Sequence, residues 1–203
     1  MHPAFGLLIG YILGSIPFAY IAGKLTRGID LRQHGSGNLG ATNVYRTLGA
    51  KVAAVVFILD TLKGALPVLA VRQYAVGAHL EPWAIAAGVA AIAGHAKPIF
   101  LLWKGGGKGV ATAGGVFLAL APIPALASML TFILVVLLTG YVSVASLTAA
   151  LVLPIALAAT IGIRAPLFVV SVVIAAFVFW THRANIGRLR RGEEHRFGKK
   201  ARA

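Results

Sequence analysis

The chain has 203 residues, 59% of them hydrophobic and only 12% charged, with no cysteine. A soluble domain of this size carries about twice that charge fraction, so an ordinary soluble fold is excluded; the missing thiols exclude disulfides, cysteine nucleophiles and zinc–thiolate sites. The net charge of +14 comes from 19 basic and 5 acidic residues, an imbalance that would suit a nucleic-acid binder, but the charges sit at the ends of apolar segments, and we expect no nucleic-acid partner.

In chain order the apolar blocks are 3–23, 50–71, 82–102, 110–139, 142–162 and 165–181. The first lacks the basic start and small-residue cleavage site of a signal peptide and is long enough to span, so it reads as a retained transmembrane helix. The fourth runs for about 30 residues with Pro122 and Pro124 inside it. It is either one kinked span or two helices turning at "APIP".

Charge placement decides between them. Lys24, Arg27, Arg32, Arg46 and Lys51 lie between blocks one and two, Lys104 and Lys108 follow block three, and the tail from His182 holds eight Lys/Arg. The positive-inside rule puts all three basic segments in the cytoplasm. An even number of crossings must then separate the second from the tail, which requires the fourth block to be split. The expectation is an all-α polytopic membrane protein: one domain over 1–203, seven transmembrane helices, N-terminus outside and C-terminus cytoplasmic. Each half of block four is short of the roughly 20 residues that cross the hydrocarbon core, so local thinning or tilt must make up the difference. No repeat is evident, which weighs against many transporter architectures.

Three polar segments carry the chemistry. The first, 32–46, contains "GSGNLGATN". Closely spaced glycines let backbone N–H groups converge on an anion; Gly37 lies between Ser36 and Asn38, which with Thr42 and Asn43 add neutral donors, and Arg46 can fork onto a phosphate. The second, 104–112, reads "KGGGKGVAT". Lys104, Gly105, Gly106, Gly107 and Lys108 look like an anion cradle leading into a helix, with Thr112 in its first turns. It is not a nucleotide-binding P-loop, because Lys108 is followed by Gly109 and an apolar helix precedes it. The third, 182–194, begins "HRANIGRLRRGEE". His182, Asn185 and Arg188 are spaced by three and share one side of a helix. Bland alternatives are a glycine turn, a flexible basic loop and a helix end holding lipid head groups.

Within the apolar blocks, Asp60 and Lys63 are one turn apart and read as a structural ion pair. His95 reads as a structural histidine, and Trp83, Trp103 and Trp180 as interfacial anchors. Asp60, Glu193 and Glu194 are the carboxylates near the three segments; with so few, no metal site and no cofactor is expected. A site this cationic, facing lipid, suits phosphorylated substrates, one of them carrying an acyl chain.

The three segments, in order and spacing, resemble the cytoplasmic motifs of the bacterial membrane-integral glycerol-3-phosphate acyltransferases that use acyl-phosphate. "GSGNLGATN" with Arg46, "KGGGKGVAT", and "HRANIGRL" followed by "GEE" carry the likeness, which extends over the whole chain. The resemblance implies acyl transfer from acyl-phosphate to the 1-hydroxyl of sn-glycerol 3-phosphate, giving lysophosphatidic acid and phosphate. It also implies an inner-membrane location with the site at the cytoplasmic face, membrane lipid around it and no obligate protein partner. None of the six histidines has an acidic residue five positions on, so the His-x4-Asp acyltransferase signature is missing. His182, held by Asn185, and the donor's own phosphate are the candidate bases, the phosphate slightly favoured; Ser36 as an acylated nucleophile is disfavoured for want of a partnered base. Two rivals are an anion channel, which would need a cationic path the outer connections do not offer, and an anchoring protein acting through its tail.

Overall fold

The computed structural model describes residues 2–77 and 80–197. Among them the chain is helical throughout and falls into two compact units, the first ending at Leu120 and the second beginning at Ala121.

The first unit holds α1 (Phe5–Gly14), α2 (Phe18–Arg27), α3 (Ala41–Leu48), α4 (Ala50–Tyr74), α5 (Leu80–Ala96) and α6 (Val110–Leu120). The first apolar block is therefore two helices. Pro17, with no N–H to donate, follows the break at Ser15–Ile16, and α2 ends at Gly28, whose φ of 67° is the left-handed C-cap that glycine adopts without strain. The helices meet through small residues. A Cβ on Gly10 or Gly14 of α1 would overlap the Ala87 or Ala91 backbone of α5, and one on Gly115 of α6 would overlap Thr61 of α4. Lipid offers no hydrophobic drive for helix pairing, so this close backbone approach supplies the dispersion contact instead.

A separate core sits under the first polar segment, where Leu31, Leu39 and Val44 pack with Ala19 of α2 and with Ala53 and Val56 of α4. The segment is thus a folded element, with a single 3₁₀ turn at Leu31–Gln33 and then α3. Leu39, inside "GSGNLGATN", is the hydrophobic plug that fixes its floor.

The second unit holds α7 (Pro122–Thr139), α8 (Val142–Ile161), α9 (Pro166–Thr181) and α10 (Arg183–Arg190). Block four is divided, as the charge pattern requires, with Ala121 between α6 and α7. The end of block six bends: α9 and α10 meet at 56° at His182, so the tail motif occupies its own short helix. Among the described residues five segments, the first being α1 and α2 together, are long and apolar enough to cross a membrane, six if α9–α10 counts as one span. Helix α6, with 11 residues, reaches only about 16 Å, roughly half the hydrocarbon core.

Candidate active site

The two glycine segments of the first unit are stitched together. The carbonyl of Gly106 accepts from the Leu39 amide at 3.1 Å and from Asn38 Nδ2 at 3.2 Å. Arg32 Nη1 donates to the Lys104 carbonyl at 3.0 Å, while its Nε and Nη2 fork onto Asp30, the shortest contact 2.6 Å. Arg32 also lies 5.3 Å from the Tyr20 ring. This arginine is therefore a staple between the two loops and α2. Hydrogen bonding from Arg32, ahead of the opposing effect of burial, holds the Asp30 carboxyl below its usual range, and the same bond raises Arg32. Asp30 belongs with the carboxylates near these segments. The sequence signal was Asp-x-Arg at the mouth of the loop, where the aspartate also caps the 3₁₀ turn by accepting from the Arg32 amide at 3.0 Å.

Asn43 is placed inside the loop. It is 2% exposed; its Oδ1 accepts from the Ser36 amide at 2.9 Å, and its Nδ2 donates to the carbonyls of His34 at 3.0 Å and Leu31 at 3.3 Å. The amide is spent on backbone groups, so Asn43 braces the loop and is not a donor reaching outward. Thr112 likewise faces α4: it is fully buried against Gly64, and its Oγ1 has no hydrogen-bond partner among the described residues. Neither belongs to the exposed rim.

The exposed rim of the joined loops comprises Ser36, Lys104 and Gly105; Gly37, Asn38, Gly106 and Lys108 on the same loops, and Arg46 on α3, are half-buried. Arg46 is in the last turn of α3. Gly37 takes φ 71° and Gly105 φ 93°, conformations that any side chain would strain. Gly107 is buried, and its amide donates to the His95 carbonyl at 3.1 Å. Just ahead of Lys104, Leu102 and Trp103 take φ of 51° and 59°. The Trp103 indole donates to the Tyr11 hydroxyl at 2.8 Å, and that hydroxyl donates to the Lys97 carbonyl at 2.9 Å. Trp103 thus anchors the loop entrance as well as sitting at a helix end.

In the second unit, His182 is 3% exposed and its Nδ1 lies 2.8 Å from the Val178 carbonyl. A carbonyl can only accept, so Nδ1 carries hydrogen. Glu194 gathers the neighbouring residues. It accepts from Asn185 Nδ2 at 2.6 Å and from Arg188 Nε at 2.7 Å. Burial pushes its carboxyl up, but Asn185, the adjacent Ser143 hydroxyl and Arg188 together hold it below the ordinary value. Of the three residues expected to share one face, Asn185 and Arg188 meet on Glu194, while His182 stands at the junction of α9 and α10 with its Nδ1 on the Val178 carbonyl; the sequence named Glu194 but gave no role for it. Arg196 extends the tail over the Tyr141 ring, 5.1 Å away, and donates to the Thr139 carbonyl at 3.2 Å.

The family model for glycerol-3-phosphate acyltransferase matches residues 4–192. The chain belongs to that family. It is 48% identical over 198 residues to a glycerol-3-phosphate acyltransferase of Synechococcus sp. (strain CC9902), covering 97% of this chain and 96% of that protein. Identity to the Geotalea daltonii glycerol-3-phosphate acyltransferase is 48% over 192 residues, covering 94% of this chain and 96% of that protein. Among solved structures, the glycerol 3-phosphate form of PlsY (YgiH), an integral membrane glycerol 3-phosphate acyltransferase, superposes with a TM-score of 0.87 at 42% identity, covering 97% of this chain and 96% of that one. Its lysophosphatidic acid form gives 0.83 at 41%, covering 97% and 95%. An integral membrane acyltransferase of this family therefore carries the loops described above.

Proposed function

We propose that the protein transfers a fatty acyl group from acyl-phosphate to the 1-hydroxyl of sn-glycerol 3-phosphate in phospholipid synthesis. The observation that carries this reading is the joined pair of glycine loops. They leave Ser36 and Lys104 exposed on loops that also carry Lys108 and lead into the helix of Arg46, a cationic, glycine-rich shelf in a protein of the acyltransferase family.

The hydroxyl oxygen attacks the acyl carbonyl carbon, the bond from that carbon to the phosphate oxygen breaks, and phosphate departs with the electron pair. Lys104, Lys108 and Arg46 hold phosphate groups as point charges and forks. Ser36, Asn38 and the loop amides of Gly105 and Gly106 orient the donor and stabilise the developing oxyanion, while Gly37 and Gly107, whose amides donate to the His34 and His95 carbonyls, shape the loops. Asn43 acts by fixing the Ser36 amide. Phosphate is a good leaving group, so no acyl-enzyme is required. The proton of the attacking hydroxyl passes to the donor phosphate, with His182 orienting substrate.

We further propose that the chain acts as one acyltransferase domain, since the family match runs through both units. The membrane arrangement we favour is seven spans with the N-terminus outside, the C-terminus cytoplasmic and the chemistry at the cytoplasmic face of the inner membrane. The three basic segments and the division of block four support it; α6 crosses only if the bilayer thins around it or flanking residues extend it.

The test offers purified protein labelled glycerol 3-phosphate with acyl-phosphate, acyl-CoA or acyl-carrier protein in separate reactions. Lysophosphatidic acid should form with acyl-phosphate alone and be lost in Lys104→Ala. Product from acyl-CoA, or none from any donor with folded protein, would overturn the donor assignment.

A further inference from the structure

Beneath the second glycine loop lies an ionic cluster that the proposed chemistry does not use. Lys63 Nζ is 2.7 Å from Asp60 Oδ1, with the two side chains 4% and 2% exposed. The expected ion pair is therefore present, and it has two extensions. Lys63 also donates to the Ile16 carbonyl at 2.8 Å, in the break between α1 and α2. His95 Nδ1 lies 3.7 Å from the same Asp60 oxygen.

The outward face of the cluster is the imidazole. Gly107 rests on it so closely that a Cβ at that position would overlap Nε2 and its neighbouring ring carbons. A Cβ on Gly106 would overlap the Ala96 carbonyl. The cluster and the loops also line one small polar pocket, formed by Ser15, Lys63, His95, Leu39 and Gly106, with room for about one water. Ser15 Oγ, fully buried in that lining, has no hydrogen-bond partner among the described residues.

Desolvated ions in an apolar helix bundle are costly, and well-packed apolar residues hold helices together equally well. A stability role alone does not account for a triad placed directly under the loop. We propose that Asp60 and His95 are positioning residues: the carboxylate fixes the imidazole, and the imidazole sets the height at which Gly106 and Gly107 cross it. That height places the Gly106 carbonyl, on which both Asn38 and Leu39 of the first loop are hung. The cluster thereby sets the registry between the two halves of the phosphate shelf. The link to turnover rests on the function proposed above; the link to loop geometry does not.

The experiment compares wild type, His95→Gln and the double variant Asp60→Asn/Lys63→Met, which removes the ion pair as a unit. Hydrogen exchange is followed over 36–40 and 104–109, together with the melting temperature and the kcat and KM for acyl transfer. In both variants, loop exchange should rise about tenfold while α4 and α5 exchange as in wild type. kcat should fall at least tenfold with KM changed less, because a displacement of the order of 1 Å costs about a hundredfold in rate. Wild-type loop exchange in a folded variant, or a change spread through α4 and α5 without a loop-specific component, would overturn the proposal. If the double variant does not fold, His95→Gln decides; if that also fails, Gly107→Ala, which displaces the loop from its own side, decides by the same measure. A wild-type protein that makes no product sinks the acyltransferase reading, while the exchange arm still judges the positioning role.

Discussion

Asn43→Ala separates a brace from a substrate ligand. The side chain makes three hydrogen bonds, to the Ser36 amide and to the carbonyls of Leu31 and His34, from a position 2% exposed. At about 1 kcal/mol net for each bond, its removal should make opening of the loop easier by about 3 kcal/mol. Each 1.4 kcal/mol is a factor of ten, so the Ser36 amide should exchange roughly a hundredfold faster. Ser36 stands on the rim of the shelf, and kcat should fall with it. Asn43→Asp sharpens the case: its carboxylate still accepts from the Ser36 amide but faces the Leu31 and His34 carbonyls with no donor. It should be worse than alanine for loop exchange. Hydrogen exchange read at the level of the 31–40 peptide gives the result directly. Exchange within about threefold of wild type, with activity lost, would refute the brace and return Asn43 to direct contact with substrate.

Glu194→Gln should lower stability, because the Arg188 guanidinium then faces a neutral amide in a site where the carboxylate was buried; thermal denaturation in detergent reads it. In wild type the Glu194 carboxyl sits below its ordinary value of 4.5. Its contribution is complete above that pH and declines as pH falls below it toward the folded value, so an acid titration of the melting temperature should be flatter in Glu194→Gln. Arg32→Lys keeps the charge but cannot fork onto Asp30 and reach the Lys104 carbonyl together, and kcat should drop at least tenfold with little change in melting temperature. Gly115→Val should prevent α6 from packing on Thr61 of α4 and cost several kcal/mol, visible as lost expression or a sharply lowered melting temperature. Truncation after Gly192 removes Glu194 and should inactivate the enzyme, so tail removal does not separate an anchoring role from catalysis.

Helix positions were legible because long apolar blocks and charge asymmetry are strong, non-local signals. The division at Ala121 followed from the parity of basic segments, not from any property of "APIP" itself. The break at Ser15–Ile16 was missed because apolar residues run straight through it, and only Pro17 marked it. The glycine motifs were legible as loops that belong together. What each polar side chain does inside them was not. Asn38 and Asn43 look alike in sequence, yet one hangs the first loop on Gly106 and the other is folded into its own loop. That difference is set by Leu39 and Val44 plugging the core below, a tertiary fact with no local signature. Glu194 was similarly silent, since its contacts with Asn185 and Arg188 are fixed by how the chain turns back on itself, whereas Asp30 had a local signal in Asp-x-Arg.

The placement of the carboxylates bears on the base in the reaction. Of the five acidic residues, four stand against a cation: Asp30 with Arg32, Asp60 with Lys63, Glu193 with Arg191 and Glu194 with Arg188. The fifth, Glu81, is in the first turn of α5, where the helix dipole favours negative charge. A carboxylate held by a guanidinium or ammonium is a weaker base than a free one, because its charged form is the stabilised form. For Asp30 and Glu194 the carboxyl is held low by such contacts. The acids of this protein are thus used to organise cations, and the proton of the attacking hydroxyl has two plausible destinations in chemical terms: the donor phosphate or the His182 ring. His182→Gln distinguishes them. A variant with near-normal kcat and an unchanged pH–rate profile assigns the proton to the phosphate. Loss of the ascending limb of that profile, with glycerol 3-phosphate binding retained, assigns it to the imidazole and overturns the preference stated here.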